Sequence, residues 1–403
     1  MSTQEQARNQ FSALQGDFIY LENAGGSQVP DCVVEAMSRF MRESYVQRGA
    51  GYPASDVVDA TVAQATAFTQ AMFGDRGNGE VLFGPSSTAL VYVLAQALAY
   101  KLNATDEIVI SVANHESHIG PWNQLENRGI RLKLWWVDPE TGLSNLDELK
   151  HILESKPKIV CFTHTSNLLG DSIDIKNACR LIHDAGAIAI VDCVASAPHE
   201  VLDVEDWDVD FCFFSFYKVY GPHMAAMWGR RDLWESLPKP GHFFLSPYGT
   251  ARFELGCLNY EGLAGVCALE DYMSVVAGGK QPTTRETIVK AVTAMGDWET
   301  PIKDRMMEYL TSHPRLRVFG PRLGEFRHPI FSFVHDAIPS SEIAAKVNQN
   351  GIGIRHGHMY AYRLCKVLKV PVEQGVVRVS GVHTTTLDEI EKLIHMLEEI
   401  LEK

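Results

Sequence analysis

The chain has 403 residues, of which 46% are hydrophobic and 21% are charged. This balance is typical of a globular protein with a sizeable core, and the length allows a large domain and a smaller one. The formal net charge of −14 argues against a nucleic acid or an anionic membrane as a partner. Residues 1–18 contain no apolar signal segment and no later stretch reaches 18 uninterrupted apolar residues, so we expect a cytoplasmic protein.

The eight cysteines show neither a CxxC pair nor the spacing of zinc ligands. We therefore predict no metal site, and thiols that are mostly buried as small apolar side chains. Reduced thiols agree with a cytoplasmic location.

Residues 81–98, VLFGPSSTALVYVLAQAL, predict a strand, a Gly-Pro turn and then a helix. Ser86 and Ser87 stand where that helix would begin. Backbone amides and the positive end of the helix dipole make such a position a ready site for an anion. An ordinary serine cap is the alternative interpretation.

Two more apolar runs end in polar turns further along the chain. Residues 108–122, IVISVANHESHIGPW, place His115 after a strand, and residues 158–170, KIVCFTHTSNLLG, place Asn167 after another. A histidine in such a loop is often only hydrogen-bonded, and an asparagine there often only forms a turn. By themselves these two residues leave their roles open.

The stretch at residues 187–222 holds two short apolar runs, 187–191 and 211–214, which are typical of strands buried on both faces of a parallel sheet. Asp192 follows the first run and Lys218 lies just past the second. The carboxyl ends of such strands meet at a crevice where open α/β sheets bind ligands. Pyridoxal 5′-phosphate (PLP) requires a lysine amine for its Schiff base and an acidic partner for its ring nitrogen. The pair therefore predicts a PLP site, with a helix cap and a solvated lysine as the alternative.

The last third of the chain predicts a separate α+β unit. We expect a large domain at residues 16–282 and a small domain at 283–403, with residues 1–15 packing against the small domain. The predicted elements are a long helix at 285–312, strands at 328–334, 351–355 and 376–379, a helix at 340–348, and a final helix that begins with Thr386 and Glu389 in capping-box spacing.

The motifs VDCVASAPH at residues 191–199 and SFYKVYGP at 215–222 resemble the class V branch of the fold-type I PLP enzymes. Within that branch the chain is most similar to a cysteine-desulfurase-like subfamily. The resemblance implies an α/β fold, with a mostly parallel seven-stranded sheet between helices in the large domain. It also implies a homodimer in which each active site takes residues from both subunits.

The resemblance implies a role for each of several residues around the cofactor. Lys218, Asp192 and His115 are the expected catalytic residues, and the imidazole of His115 would stack on the pyridine ring. The remaining expected cofactor contacts are Ser86, Ser87, Asn167, Ser215, Tyr217 and, across the dimer interface, Asn259. Ala195 stands where desulfurases usually carry a glutamine, so the cofactor phenolate loses its usual donor.

The expected substrate contacts begin with Arg378 in VRVSGVH, because a guanidinium binds a carboxylate through two parallel hydrogen bonds. A salt-bridged arginine at a strand end is the alternative. The resemblance implies that Asn167 and Ala24, which lies in YLENAGGSQVP, also contact the substrate. Arg355 is a second cation near the same loop and is included among these contacts. Tyr360 occupies the position of the nucleophilic cysteine of the closest desulfurases, and Cys365 lies five residues later.

These residues predict a PLP-dependent lyase or transferase that acts on a small α-amino acid. Lys218 would remove the α-proton, and a bond at the β-carbon would then break. The leaving group would be sulfur, selenium, sulfinate or carboxylate. An amino-acid racemase or epimerase of the isopenicillin N epimerase type is the second hypothesis and aminotransfer the third; a catalytically idle PLP-binding paralogue is the hypothesis from another class.

Overall fold

The structure is a computed structural model that describes residues 3–238, 240–244, 248–279 and 284–401. The predicted domain boundary at residues 282 and 283 lies outside the described residues. The strands are β1 Ile19–Tyr20, β2 Gly79–Gly84, β3 Glu107–Ser111, β4 Arg131–Trp135, β5 Ile159–Thr163, β6 Ile188–Asp192, β7 Phe211–Ser215, β8 Ala225–Arg230, β9 Leu316–Phe319, β10 Ile330–His335, β11 Ile352–Gly353, β12 Arg355–Gly357 and β13 Val376–Ser380.

The helices surround these strands, and among the described residues no helix combines the length and apolarity required to cross a membrane. They are α1 Gln4–Arg8, α2 Asp31–Glu43, α3 Pro53–Phe73, α4 Ser87–Ala99, α5 Gly120–Asn123, α6 Leu146–Leu153, α7 Ile175–Asp184, α8 Arg231–Ser236, α9 Tyr260–Val276, α10 Arg285–Ser312, α11 Ser340–Gln349, α12 Tyr362–Val367 and α13 Leu387–Leu401.

A seven-stranded sheet forms the centre of the large domain, in the order β2-β8-β7-β6-β5-β3-β4. The strands from β7 to β4 are parallel, and β8 is antiparallel to both of its neighbours. Successive residues of β6 and β7 enter apolar cores on opposite faces, with Ile190 and Phe213 on one face and Val191 and Phe214 on the other. The prediction of a mostly parallel seven-stranded sheet between helices is confirmed.

The small domain has a four-stranded antiparallel sheet in the order β12-β13-β10-β9. Helices α10, α11 and α13 cover it and share its apolar core. The predicted capping box of α13 is present, since Glu389 accepts a hydrogen bond from the backbone amide of Thr386 and donates its own amide to the Thr386 hydroxyl.

One expectation for the small domain was wrong. Residues 351–355 do not form a single strand, because the amide of Ile354 donates to the Asn348 side chain at 2.9 Å instead of to a neighbouring strand. At this residue the chain ends its pairing with one strand and begins to pair with another. Strand β11 pairs with β1 near the N-terminus, whereas β12 pairs with β13. Strand β9 was not predicted.

The N-terminal segment contacts both domains. Arg8 forms a salt bridge to Glu389 at 2.8 Å, and the side chain of Gln4 donates to the carbonyl of Thr385 at 2.7 Å, both in the small domain. The ring of Phe11 packs edge-on against Tyr272 of α9 at 5.2 Å. Residues 3–11 therefore join the start of α13 to the large domain.

A second connection between the domains is a buried polar cluster behind β6. Glu200 accepts a hydrogen bond from Nε2 of His328 at 2.6 Å, and His199 contacts Glu299 of α10 at 2.9 Å. The rings of His199 and His328 stack at 4.9 Å. These contacts fix the chain just after β6 relative to the segment that enters β10.

Candidate active site

The carboxyl end of the large sheet forms a narrow pocket with Asp192 and Lys218 on its wall. Asp192 is the last residue of β6, and Lys218 lies in a 3-10 turn that follows β7 directly. Their exposed fractions are 3% and 6%. The pocket is lined by Ser86, Ser87, Thr88, His115, Ser117, Thr163, Thr165, Asn167, Asp192, Val194, Ala195, Ser215, Tyr217 and Lys218. The geometry thus brings together the two ionisable residues that the sequence predicted to converge.

The carboxylate of Asp192 is held in place by the backbone. Its Oδ1 accepts a hydrogen bond from the amide of Val194 at 2.8 Å. Burial raises the pKa of Asp192 to about 7, although this hydrogen bond and the charge of Lys218 act in the opposite direction. A cationic N–H placed against this carboxylate would restore its negative charge.

The amine of Lys218 has no hydrogen bond or salt bridge to any described residue. Burial and the positive charge of Arg378 lower its pKa to about 8, and Asp192 partly opposes both effects. About a tenth of this amine is therefore neutral at pH 7, far more than for an exposed lysine. A neutral, buried and unengaged amine is suited to nucleophilic addition and to proton transfer.

His115 lies at the mouth of the same pocket as a neutral imidazole. Burial and the charges of Lys218 and Arg378 lower its pKa to about 3. Its Nδ1 accepts the amide of Ser117 at 3.1 Å, which leaves the proton on Nε2. Its ring faces that of Tyr360 at 5.1 Å and 33°. His115 thus lines the pocket, and its stacking on the cofactor ring stays a prediction.

The predicted anion site forms where α4 begins. Ser86 is the N-cap and accepts the amide of Ala89 at 3.2 Å, while the hydroxyl of Ser87 lies 2.7 Å from that of Ser215 at the end of β7. Two hydroxyls from different elements therefore converge at the positive end of a helix of thirteen residues. The plain serine cap is therefore present, and the anion site at the same turn stays a prediction.

Arg378 lies in β13, where a wider crevice opens from the pocket. It is 2% exposed, and its Nη1 donates to the carbonyl of Asn167 at 3.2 Å. Burial lowers its pKa to about 10, so the guanidinium stays charged at neutral pH. Within the described residues its Nε and the side-chain oxygen of Asn167 are buried without a hydrogen-bond partner.

Arg355 and Ala24 line this crevice together with Arg378. Arg355 is exposed and pairs with Glu22 at 2.7 Å, so its charge is already compensated. The backbone amide of Ala24 donates to the Ser380 hydroxyl at 2.9 Å, which fixes the N-terminal loop to the end of β13.

Tyr360 projects from a strained loop over the crevice. Met359 and Tyr360 have φ angles of 48° and 59°, a left-handed conformation that costs non-glycine residues about 1–2 kcal/mol each. The loop is held because Asn167 donates to the Met359 carbonyl at 2.9 Å and Glu116 donates its amide to the Tyr360 carbonyl at 2.8 Å. Strain maintained by such specific bonds is typical of functional loops.

Cys365 lies on α12 and points away from the crevice, as its surroundings show. It is fully buried, shares an apolar cluster with Leu364 and Leu368, and burial raises its pKa to about 11. A thiol in this state is neither accessible nor ionised at neutral pH.

Two predicted cofactor contacts, Tyr217 and Asn259, lie in different parts of the structure. Tyr217 lines the pocket, and its ring stacks on that of His223 at 5.2 Å. Asn259 lies outside the pocket that holds Lys218, because its side chain caps α9 by accepting the amide of Gly262 at 2.8 Å. Its assigned contact belongs to a neighbouring subunit and stays a prediction.

The sequence analysis missed several polar residues of the site. Thr163, at the end of β5, lies beside Asp192 in strand register, and Thr165 follows it in the same pocket. Both follow the buried run at residues 159–162, so the rule that strand ends line the crevice identifies them. Glu22 was also missed, although it stands in the YLENAGG motif.

The fold and the placement of these residues are those found in fold-type I PLP enzymes. A sequence model of the family described as aminotransferase class-V matches residues 19–393. The chain therefore belongs to the class-V aminotransferase family, which is a family of enzymes.

Comparisons with individual proteins agree with this family. The chain is 34% identical to the aminotransferase-like protein FGM3 of Gibberella zeae over 98% of both chains. It is 30% identical to the cysteine desulfurase-like protein ustD of Aspergillus flavus, over 98% of this chain and 90% of that one. Its fold matches that of a cysteine desulfurase from Thermococcus onnurineus with a TM-score of 0.89 at 23% identity, covering 100% of this chain and 99% of the other.

Members of this family use PLP, and the residues present fit that group. Lys218 offers an unengaged amine, and Asp192 offers a buried carboxylate that lacks a salt bridge in the described chain. The hydroxyls of Ser87 and Ser215 meet at the start of α4, where a phosphate would be accepted. PLP carries an aldehyde, a basic ring nitrogen and a phosphate, one for each of these features.

Proposed function

We propose that this protein is a PLP-dependent enzyme that acts on an α-amino acid and breaks a bond at the β-carbon. The observation that carries the proposal is the convergence of Lys218, Asp192 and Arg378 on one crevice. The first two fit the cofactor, and the buried guanidinium fits the carboxylate of an amino acid. A catalytically idle paralogue would have no need to keep all three.

When bound, PLP withdraws electrons from the α-carbon of an attached amino acid. The residues of this chain prepare that step. Asp192 keeps the ring nitrogen protonated, since its own buried charge is stabilised by an adjacent cation. Lys218 would hold the cofactor through its amine, and the same amine would remove the α-proton.

Arg378 and Asn167 orient the substrate. A carboxylate that accepts two hydrogen bonds from the Arg378 guanidinium places the α-carbon in the crevice between Lys218 and the loop of Tyr360. His115 covers the site as a neutral ring, and its Nε2 proton is available to a nearby oxygen. Positioning of this kind increases the reaction rate, because binding already holds the reacting groups in the geometry that the reaction requires.

The chemistry of the leaving group follows from the loop at Tyr360. A desulfurase that carries sulfur as an enzyme persulfide needs a thiolate beside the substrate. The neighbouring thiol, Cys365, is buried with a pKa of about 11 and faces an apolar cluster. We therefore propose β-cleavage of the cysteine-lyase or β-decarboxylase type, in which the leaving group departs without forming a persulfide on this chain.

We further propose a cytoplasmic homodimer with composite active sites. Helices α2 and α3 carry exposed apolar side chains at Val34, Met41 and Val57, a pattern that supports a covered face. In such a dimer Asn259 would reach the partner's cofactor phosphate. Light scattering of the purified protein tests the dimer directly.

The experiment that tests the reaction is a mass-spectrometric screen of L-amino acids, performed in deuterated water with the purified protein. We expect a product that has lost a β-substituent and has gained deuterium. A racemase, the second hypothesis, would instead return the intact amino acid as a mixture of enantiomers with deuterium at the α-carbon. That result would contradict β-cleavage.

A further inference from the structure

A separate cavity lies next to the catalytic crevice, behind the loop of Tyr360. We call it the side cavity. Its volume is about 580 Å³, and it is lined by Val112, Glu116, Leu134, Trp136, His358, Tyr360, Tyr362, Arg363, Lys366 and Val367. Glu116, His358 and Tyr360 also line the crevice that contains Lys218 and Arg378. The two spaces therefore share a wall.

The walls of the side cavity are aromatic. Trp136, directly after edge strand β4, is 50% exposed, and Tyr362 at the start of α12 is 39% exposed. The ring of His358 meets that of Tyr362 edge-on at 5.7 Å. Large exposed rings around a concave surface are typical of a binding site for a planar group.

The cavity also carries two cations on a chain whose net charge is −14. Lys366 lies over the ring of Tyr362 at 4.7 Å and forms no salt bridge in the described chain. Nε of Arg363 is buried without a hydrogen-bond partner among the described residues, and its carboxylate neighbour, Glu116, is 3.9 Å away. One carboxylate faces two cations, so the cavity is suited to an anion.

We propose that the side cavity is a second binding site, which holds a planar group bearing a carboxylate or another anion at the far end of the amino-acid substrate. The proposal rests on the proposed function, because Arg378 would hold the amino-acid end. Tyr360, on its strained loop, lines both spaces. The substrate is then an extended amino acid, and the side cavity selects it.

The first arm of the test uses a ligand that needs no PLP chemistry. Isothermal titration calorimetry measures binding of 2-naphthoate to the purified protein. We expect Trp136→Ala to weaken binding about tenfold and Lys366→Gln about fivefold, as for an aromatic contact and an exposed charge. Lys369→Gln is the matched control, because Lys369 is exposed three residues further on and does not line the cavity. Equal binding by all four proteins overturns the proposal.

The second arm compares amino acids of different length through the absorption spectrum of the bound cofactor. L-alanine, too short to reach the cavity, sets the baseline in each variant. We expect O-(4-carboxybenzyl)-L-serine or 4-carboxy-L-phenylalanine to bind about tenfold tighter than L-alanine, and the ratio to approach one in Trp136→Ala and Lys366→Gln. A ratio that survives in both variants overturns the proposal.

The two arms separate two kinds of failure. If no amino acid changes the spectrum of the wild-type protein, the proposed function fails, and the calorimetric arm still decides whether the cavity binds an aromatic anion. If L-alanine binds but neither extended amino acid gains affinity, the proposed function stands and the side cavity is not part of the substrate site.

Discussion

The most informative substitution is Arg378→Lys, with Arg355→Lys as its matched control. Both arginines line the crevice, but Arg378 is buried with one hydrogen bond to a backbone carbonyl, whereas Arg355 is exposed and paired with Glu22. A lysine cannot form two parallel hydrogen bonds to a carboxylate. We expect Arg378→Lys to lose about 1.5–3 kcal/mol of substrate binding, the value of a hydrogen bond to a charged group.

That loss corresponds to a roughly 10- to 150-fold increase in the dissociation constant. Arg355→Lys should raise it by no more than about fivefold, because an exposed ion pair contributes at most about 1 kcal/mol. The assay is a titration of cofactor absorption with L-alanine, together with a thermal unfolding curve that checks each fold. Equal effects of the two substitutions, or an unchanged constant in Arg378→Lys, would refute the assignment of the carboxylate site.

Two further predictions concern the thiol and the domain junction. Cys365→Ser should retain most turnover of the true substrate, whereas Tyr360→Phe should slow it more, because only the phenol faces the crevice; trapping a persulfide on Cys365 would contradict this. Burial raises the pKa of Glu200, but the hydrogen bonds from His328 and Ser172 and the charges of His164 and His328 together outweigh burial and lower that pKa to about 2. A carboxyl whose pKa is lowered by folding stabilises the fold when the pH is above its pKa in the unfolded chain. This stabilisation is lost as the pH falls through the pKa of the folded state.

The free energy of unfolding of the wild-type protein, measured by urea titration, should therefore fall between about pH 5 and pH 2 by up to about 3 kcal/mol more than that of Glu200→Gln, since each pKa unit corresponds to about 1.4 kcal/mol. Parallel pH profiles of the two proteins would show that folding does not lower the pKa of Glu200.

The elements that bring Asp192 and Lys218 together could be predicted because buried parallel strands leave short β-branched and aromatic runs in the sequence. Helix α10 and the start of α13 could be predicted from their length and capping residues. Strands β11 and β12 could not be separated, because a side-chain hydrogen bond from a residue six positions earlier decides where they part. The pattern of apolar and polar residues in the sequence does not indicate such a hydrogen bond.

The residues of the candidate site likewise include some that could be predicted from the sequence and others that could not. Residues at strand ends and at the start of α4 follow from local patterns, whereas Glu22 reaches Arg355 across 333 positions of sequence. The side cavity was not predicted either. It forms where the edge of the large sheet meets a loop of the small domain, so it depends on contacts between domains that the sequence does not display.

The measurement that tests the central claim most directly is borohydride reduction of the purified protein, followed by peptide mapping. The account predicts a yellow protein in which reduction fixes the cofactor to the Nζ of Lys218, and a Lys218→Ala variant that forms no such adduct. Recovery of the cofactor on another lysine, or a purified protein that takes up no PLP, would contradict the account.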